Sequence, residues 1–185
     1  MAIETPRYQV LRRSKNIELR RYEDFIRAQV KVRGQDHNEA AGAGFRVLAA
    51  YIFGDNMSSH KIDMTRPVAV EGSSEKIEMT APVTVEGEGE YTVSFVMPRR
   101  YDLDSLPKPN DERITFTETR LGTVAAIRFS GFFSQSNIDK NKSELEKWLR
   151  EEKLETVGEY IVAGYDPPYK PWFLKRNEVL VRVKM

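Results

Sequence analysis

The sequence predicts an α+β fold in which two similar halves share one curved antiparallel sheet or barrel, with one helix in each half. The order strand, strand, helix, strand, strand occurs twice, at about residues 7–98 and 113–185, and a segment rich in proline and aspartate separates the two copies. A chain of 185 residues with 40% apolar residues can bury one core. We therefore expect a single domain over residues 1–185.

The first half begins with three predicted strands. Residues 8–13 and 17–22 alternate between apolar and polar side chains around the turn residues 14–16, which is typical of a hairpin. Residues 25–32 also alternate, with Ile26 to Val32 placing every second, apolar side chain on one face. That face is predicted to form a wall of the core.

A helix is predicted from Asp36, because Asp36 and Glu39 match a capping box. The helical spacing of its apolar residues ends before Gly54. The apolar stripe of this helix comprises Ala41, Phe45, Leu48 and Ile52. Gly42 and Gly44 are unfavourable inside a helix, by about 1 kcal/mol each relative to alanine. They indicate a close approach by another element, either a packed strand or a flat ligand.

A short sequence motif, which we call the doubled phrase, occurs twice after this helix. Its copies are KIDMTRPV at residues 61–68 and KIEMTAPV at 76–83, with six of eight positions identical. Both copies alternate and precede a glycine, so each predicts a strand. Proline cannot donate to a ladder, so the proline of each copy is expected at an edge, a bulge or a strand end. A small molecule could there contact Met64 and Met79.

The second half is predicted from the same patterns. Ser136 with Asp139 is expected to cap its helix, and an apolar stripe that includes Leu145 and Trp148 is expected to be buried. The remaining predicted elements are strands at 91–98, 113–119, 123–130, 160–165 and 178–184, a helix at 136–152, and a connection at 102–111.

Residues 165–176, which we call the flap, lie between the last two predicted strands. The flap combines prolines, aromatic side chains and cations, including Lys170, Trp172, Lys175 and Arg176. A loop this apolar is either pinned to the body of the protein or folded over a binding cleft. The sequence leaves both alternatives open.

Composition excludes several classes of function. Lysine plus arginine (29) nearly balances aspartate plus glutamate (28), so no global field favours nucleic acid or anionic membranes, and any anion site must be local. The chain has no cysteine, which excludes disulfides and thiolate metal sites. Its two histidines, His37 and His60, fall where surface histidines are common, so a zinc site is not expected. With no apolar leader or membrane span, a soluble cytoplasmic protein is expected.

The remaining possibility from the residues is a binding module. A planar amphiphilic ligand such as a tetrapyrrole needs an apolar slot and cations for its carboxylates. The aromatic and methionine side chains can supply the slot. Lys170, Lys175, Arg176 and the lysines of the doubled phrase can supply the cations.

The doubled phrase resembles a motif of the SOUL haem-binding family, and other stretches resemble it too. These are YIFG at 51–54, FVMP at 95–98, LPKPND at 106–111, RFSG at 128–131, AGYDPP at 163–168 and RNEV at 176–179. The resemblance covers almost the whole chain. It implies a distorted β-barrel of two pseudosymmetric halves with two flanking helices, and binding of haem or other tetrapyrroles in an apolar cleft beside the first helix.

Individual residues follow the family only in part. The resemblance implies that Lys170 meets a haem propionate. Gly42 and Ala50 stand where vertebrate haem binders carry an Arg and a Lys, and Arg46, one turn away, is the expected substitute. Arg21 stands where one vertebrate branch has a proposed axial histidine, and arginine cannot ligate iron. The other candidates for an axial ligand are Met57, Met64, Met79, Tyr51 and His60.

The sequence therefore predicts a non-catalytic tetrapyrrole carrier or buffer, without nucleic-acid or membrane partners. The residues expected to line its site are Lys170, Arg46, Tyr51, Met64, Met79, Phe45, Trp172 and Lys175. One alternative is a sensor of small apolar or cationic ligands, resembling effector-binding domains that often use a buried carboxylate. An enzyme is a further alternative, for which the sequence names no catalytic residue.

Overall fold

The computed structural model describes residues 4–57, 74–167 and 169–184. The strands are β1 Tyr8–Ser14, β2 Ile17–Tyr22, β3 Phe25–Arg33, β4 Asn56–Met57, β5 Val83–Glu88, β6 Glu90–Val96, β7 Lys108–Pro109, β8 Thr115–Thr119, β9 Thr123–Phe129, β10 Thr156–Gly164 and β11 Asn177–Val183. The helices are α1 His37–Ile52 and α2 Gln135–Glu151, and a short 3-10 helix spans Trp172–Leu174.

Nine strands form one antiparallel sheet in the order β1-β2-β9-β11-β10-β5-β6-β3-β8. From β2 to β8 this order is symmetric about the β10–β5 pair, with β2, β9 and β11 on one side matching β8, β3 and β6 on the other. Within the described residues the sheet ends at β1 and β8 and is not closed, so the expected barrel is not confirmed. The fold is α+β, with one large curved sheet, a small β4–β7 ladder and two helices.

Both helices pack on the same face of the sheet, which we call the helix face. α1 covers β3, β5 and β6, where Leu48 and Val93 are fully buried, and α2 covers β9 and β11, where Leu145 is fully buried. The predicted stripe of α2 is therefore confirmed. The other face of the sheet carries a third apolar cluster, which includes Tyr22 and Leu180.

The helix N-termini differ in how well the sequence predicted them. Asp36 accepts a hydrogen bond from the Glu39 amide at 2.8 Å, so the predicted cap of α1 is confirmed. The predicted cap of α2 at Ser136 is wrong, because the N-cap is Ser134, two residues earlier, whose side chain accepts from the Asn137 amide at 3.4 Å. Ser134 and Ser136 both suit an N-cap, and the position of the preceding loop determines which of them caps the helix.

Only the second copy of the doubled phrase can be compared with its predicted strand, because the first copy lies outside the described residues. In the second copy the backbone from residue 76 to 82 is not a strand, because the Ile77 amide donates to Ile52 and the Ala81 amide donates to Glu4, outside the sheet. The strand begins only at Val83, directly after Pro82. The expectation that this proline lies at a strand end is confirmed.

The two glycines of α1 have different surroundings. A Cβ on Gly44 would lie 2.4 Å from the Val93 Cβ, so this glycine lets β6 pack against the helix. A Cβ on Gly42 would meet only the Arg46 guanidinium, at 3.9 Å. Strand packing therefore explains Gly44 and leaves Gly42 unexplained.

This contrast makes a testable prediction about stability. Gly44→Ala is expected to lower the free energy of unfolding by about 1–3 kcal/mol, because the added methyl overlaps Val93 in a packed core. Gly42→Ala is the matched control, and it should raise stability by up to about 1 kcal/mol through helix propensity. Urea unfolding of both variants provides the measurement. Equal changes in the free energy of unfolding of the two variants would contradict the close packing of Gly44 against Val93.

Candidate ligand-binding site

A row of three paired residues crosses the helix face at one end of the sheet. Phe95 of β6 pairs with Val83 of β5, and Val83 pairs with Gly164 of β10. Paired residues of antiparallel strands project to the same face, so the row is a floor that has a side chain at Phe95 and none at Gly164.

Aromatic rings stand at both ends of this floor. The ring of Phe45 on α1 lies 5.4 Å from the ring of Phe95. At the other end, Phe133 lies 3.7 Å from where a Cβ on Gly164 would stand. Two strand spacings, roughly 10 Å, separate the backbones of Phe95 and Gly164, and Val83 lies between them. We call the surface between Phe45 and Phe133 the helix–flap groove.

The flap adds an exposed aromatic cluster next to Phe133. The Trp172 ring stacks on Phe132 at 5.6 Å and meets Phe173 edge-on at 5.6 Å. The Gly131 amide donates to the Trp172 carbonyl at 3.0 Å and ties the two loops together. All three side chains remain more than half exposed, at 52–60%. Contiguous exposed rings on a pinned loop are typical of a binding surface.

Lys170 lies on the same flap and is half-buried. Its Nζ pairs with Asp166 Oδ1 at 2.5 Å, and the other oxygen of Asp166 accepts from the Arg176 amide. Burial acts to raise the pKa of Asp166, but the Lys170 ammonium and the Arg176 amide outweigh it and lower that pKa. A ligand carboxylate that reached Lys170 would therefore compete with Asp166. Lys175 is also half-buried.

Arg46 is exposed on α1, one residue after Phe45. Its Nη1 lies 3.9 Å from where a Cβ on Gly42 would stand, so its charge lies back over Gly42. The role of Arg46 as a substitute for a cation at position 42 stays a prediction. Ala50, at the other family position, is exposed and offers no charge.

The predicted site residues fall into two groups and several separate positions. Phe45 and Arg46 are adjacent on α1, and Lys170, Trp172 and Lys175 share the flap. Tyr51 lies apart from both groups: it is 1% exposed, its hydroxyl donates to the Pro107 carbonyl at 2.9 Å, and its ring packs on Phe116 of β8, away from β10.

The methionine and histidine candidates are also dispersed. Met79 is 39% exposed, four residues before Val83, and Met57 is exposed in the β4–β7 ladder. Met64 and His60 lie outside the described residues. His37 is buried, and its Nδ1 lies 2.9 Å from Gln135 Oε1 on α2, so its expected surface position is wrong. No group of histidines and carboxylates in the part described here is arranged to hold a metal ion.

A buried ionic network, which the sequence analysis missed, lies on the other face of the sheet. The Glu178 carboxylate is fully buried and accepts from Arg20 at 2.7 and 2.9 Å, from Arg176 at 2.7 and 3.1 Å, and from the Tyr165 hydroxyl at 2.8 Å. Burial acts to raise the pKa of Glu178, but the two guanidinium groups outweigh it and lower that pKa. Arg176 is thus engaged by the protein itself.

The comparisons with known proteins agree with these observations. The family model described as "SOUL heme-binding protein" matches residues 3–182. The chain is similar to "Heme-binding protein 1" of Xenopus laevis, with 26% identity over 86% of this chain and 84% of that protein. It is also similar to "Heme-binding protein 2" of Homo sapiens, with 28% identity over 87% of this chain and 78% of that protein.

Solved structures show the same fold at low sequence identity. A hydrolase from Listeria innocua has a TM-score of 0.64 at 12% identity, and the match covers 94% of both chains. The EcmrR C-terminal domain has a TM-score of 0.65 at 10% identity, and the match covers 96% of this chain and 98% of that one. Among the described residues, no helix has the length and apolar character needed to cross a bilayer.

Proposed function

Because the chain belongs to the SOUL haem-binding protein family, we propose that it binds haem or another tetrapyrrole in the helix–flap groove, as a carrier or buffer without catalysis. One observation carries the location. The exposed rings of Phe132, Trp172 and Phe173 lie next to Phe133, whose own ring covers Gly164. A flat macrocycle can stack one face against these exposed rings.

The cations flank this groove in a way that suits a macrocycle with two carboxylates. Lys170 lies on the flap wall and Arg46 on the α1 wall. A charge-assisted hydrogen bond to each would orient the ring in the groove. The residues present therefore fit the group. When bound, the haem would supply its iron chemistry, and this chain would supply the apolar surfaces and the cations.

A sensor of cationic ligands is less well supported by the charges. Effector-type recognition of a cation needs a buried carboxylate that is available, and Glu178 is fully engaged by Arg20, Arg176 and Tyr165. On the same face, a small apolar cleft has its Arg27 and Glu86 paired with each other. We therefore expect an apolar cationic dye to bind far more weakly than haemin.

The test of the proposal is a haemin titration followed by the Soret band. Lys170→Ala should weaken binding about ten-fold, the value of one charge-assisted hydrogen bond. Asp166→Asn should tighten binding about three-fold, because the amide oxygen still accepts from the Arg176 amide while the competing charge is gone. Lys147→Ala on α2 is the matched control and should bind as the parent does.

The paired variants separate a direct role of Lys170 from a structural one. If Lys170 only braces the flap through Asp166, both substitutions should weaken binding alike. If Lys170→Ala leaves the affinity unchanged, Lys170 does not meet the ligand. Absence of a saturable Soret change in the parent protein would overturn the proposed function itself.

A further inference from the structure

We propose that a second site, separate from the helix–flap groove, binds a small phosphate-bearing anion. It is an open pocket on the face of the sheet opposite the helices. Its walls are the β1–β2 hairpin, the end of β9, and Arg176, the last residue of the flap, directly before β11. We call it the hairpin pocket, and its charged lining residues are Arg13, Lys15, Glu18, Arg20, Arg128 and Arg176.

The lining concentrates positive charge in a chain that is otherwise nearly neutral. Five of the charged side chains in its lining are cations and one is a carboxylate, while the whole chain carries a formal charge of only +1. Adding Glu178, which lies behind Arg20 and Arg176, still leaves an excess of three positive charges. Such an excess in a concave surface favours an anion with more than one charge.

The two carboxylates near the pocket, Glu18 and Glu178, are already paired with arginines that line it. Glu178 is held by both Arg20 and Arg176, and Glu18 accepts from Arg20 Nε at 2.7 Å and pairs with Arg13 at 2.6 Å. These ion pairs hold the arginines in place and neutralise both carboxylates. The remaining positive charge of the lining is therefore available to an incoming anion.

Two cations at the rim have no carboxylate partner among the described residues, Lys15 and Arg128. Their positions are fixed by the backbone. The Arg128 amide donates to the Asn16 carbonyl at 2.9 Å, and the Asn16 side chain donates back to the Arg128 carbonyl at 3.3 Å. Lys15 lies next to Asn16 in the hairpin turn, with φ of 54°. This pairing holds both side chains at one end of the pocket.

The chemistry of the rim favours a phosphate group. Arginine presents a planar fork of donors that matches phosphate oxygens, lysine adds a mobile ammonium, and the Ser130 hydroxyl adds a further donor. The pocket is larger than one phosphate, and Tyr8, whose ring lies 4.4 Å from the guanidinium carbon of Arg20, also lines it. A phosphate that carries an organic group therefore fits better than a free ion.

The test uses inorganic pyrophosphate as a probe, with calorimetry at low ionic strength. The Lys15→Gln/Arg128→Gln variant is expected to bind pyrophosphate at least about ten-fold more weakly than the parent, with a smaller dependence on salt. Lys140→Gln/Lys147→Gln on α2 removes the same charge elsewhere and should bind as the parent does. Thermal unfolding without ligand checks that each variant is folded.

Three results would overturn the site. These are no pyrophosphate binding by the folded parent, equal weakening in the control pair, and binding of a tricarboxylate as tight as that of pyrophosphate. Lys170→Ala should leave pyrophosphate binding unchanged. The haemin and pyrophosphate results can therefore fail independently of each other.

Discussion

Glu178→Gln is expected to lower the free energy of unfolding by about 3–5 kcal/mol, the cost of breaking a buried ion pair from one side. The substitution keeps the shape of the side chain but removes its charge. Arg176 is then left without a carboxylate partner, and Arg20, whose side chain is 3% exposed, keeps only its contact with Glu18. Urea unfolding at neutral pH measures the loss.

A surface pair provides the control for this experiment. Glu155 pairs with Lys184 at 3.3 Å, and both side chains are about 70% exposed. Glu155→Gln should therefore cost less than about 1 kcal/mol. A similarly small loss for Glu178→Gln would mean that the buried arginines find other partners or water, and that the network does not hold β2 and β11 together.

The same ionic network determines how the stability of the fold changes with pH. The pKa of Glu178 is lowered in the folded state, so its contribution is present above the ordinary glutamate pKa, about 4.3. That contribution disappears as the pH falls through the lower, folded-state pKa. The parent should therefore lose stability below about pH 4 more steeply than Glu178→Gln does. If the free energy of unfolding fell equally with pH in the parent and in Glu178→Gln, the lowered pKa of Glu178 would be contradicted.

Local patterns were enough to predict most of the strands and both helices. Alternation placed β2 and β3 correctly, and helical spacing placed α2 to within a residue at each end. The second copy of the doubled phrase alternates too, yet it is not a strand. Its amides are used by Ile52 and Glu4, and those partners depend on how α1 and the N-terminal segment pack. Alternation alone cannot show that.

The site was predictable where it depends on the composition of one segment. Lys170, Trp172 and Lys175 were expected from the flap alone. Phe132 was missed, although two adjacent aromatic residues after a glycine, before a helix, were a usable signal. The contact of Arg20 with Glu178 joins residues 158 positions apart across β9. It depends on the register of three strands, which alternation within each strand does not fix.

The exposed ring cluster makes the second large prediction. Phe132→Ala/Trp172→Ala is expected to weaken haemin binding about 100-fold, since stacking of each ring against a macrocycle is worth about 1–1.5 kcal/mol. Both side chains are more than half exposed, so their loss should change the free energy of unfolding by less than about 1 kcal/mol. The Soret titration measures the affinity and urea unfolding checks the fold.

A double variant with matched exposure distinguishes stacking in the groove from a general need for apolar surface. Phe53→Ala/Leu103→Ala removes two side chains that are 60% and 49% exposed, and neither belongs to the ring cluster. It should bind haemin as the parent does. If both double variants weaken binding alike, haemin adheres to apolar surface in general. If neither does, the macrocycle lies away from the flap, because removing two exposed rings from a wall that it touches must cost affinity.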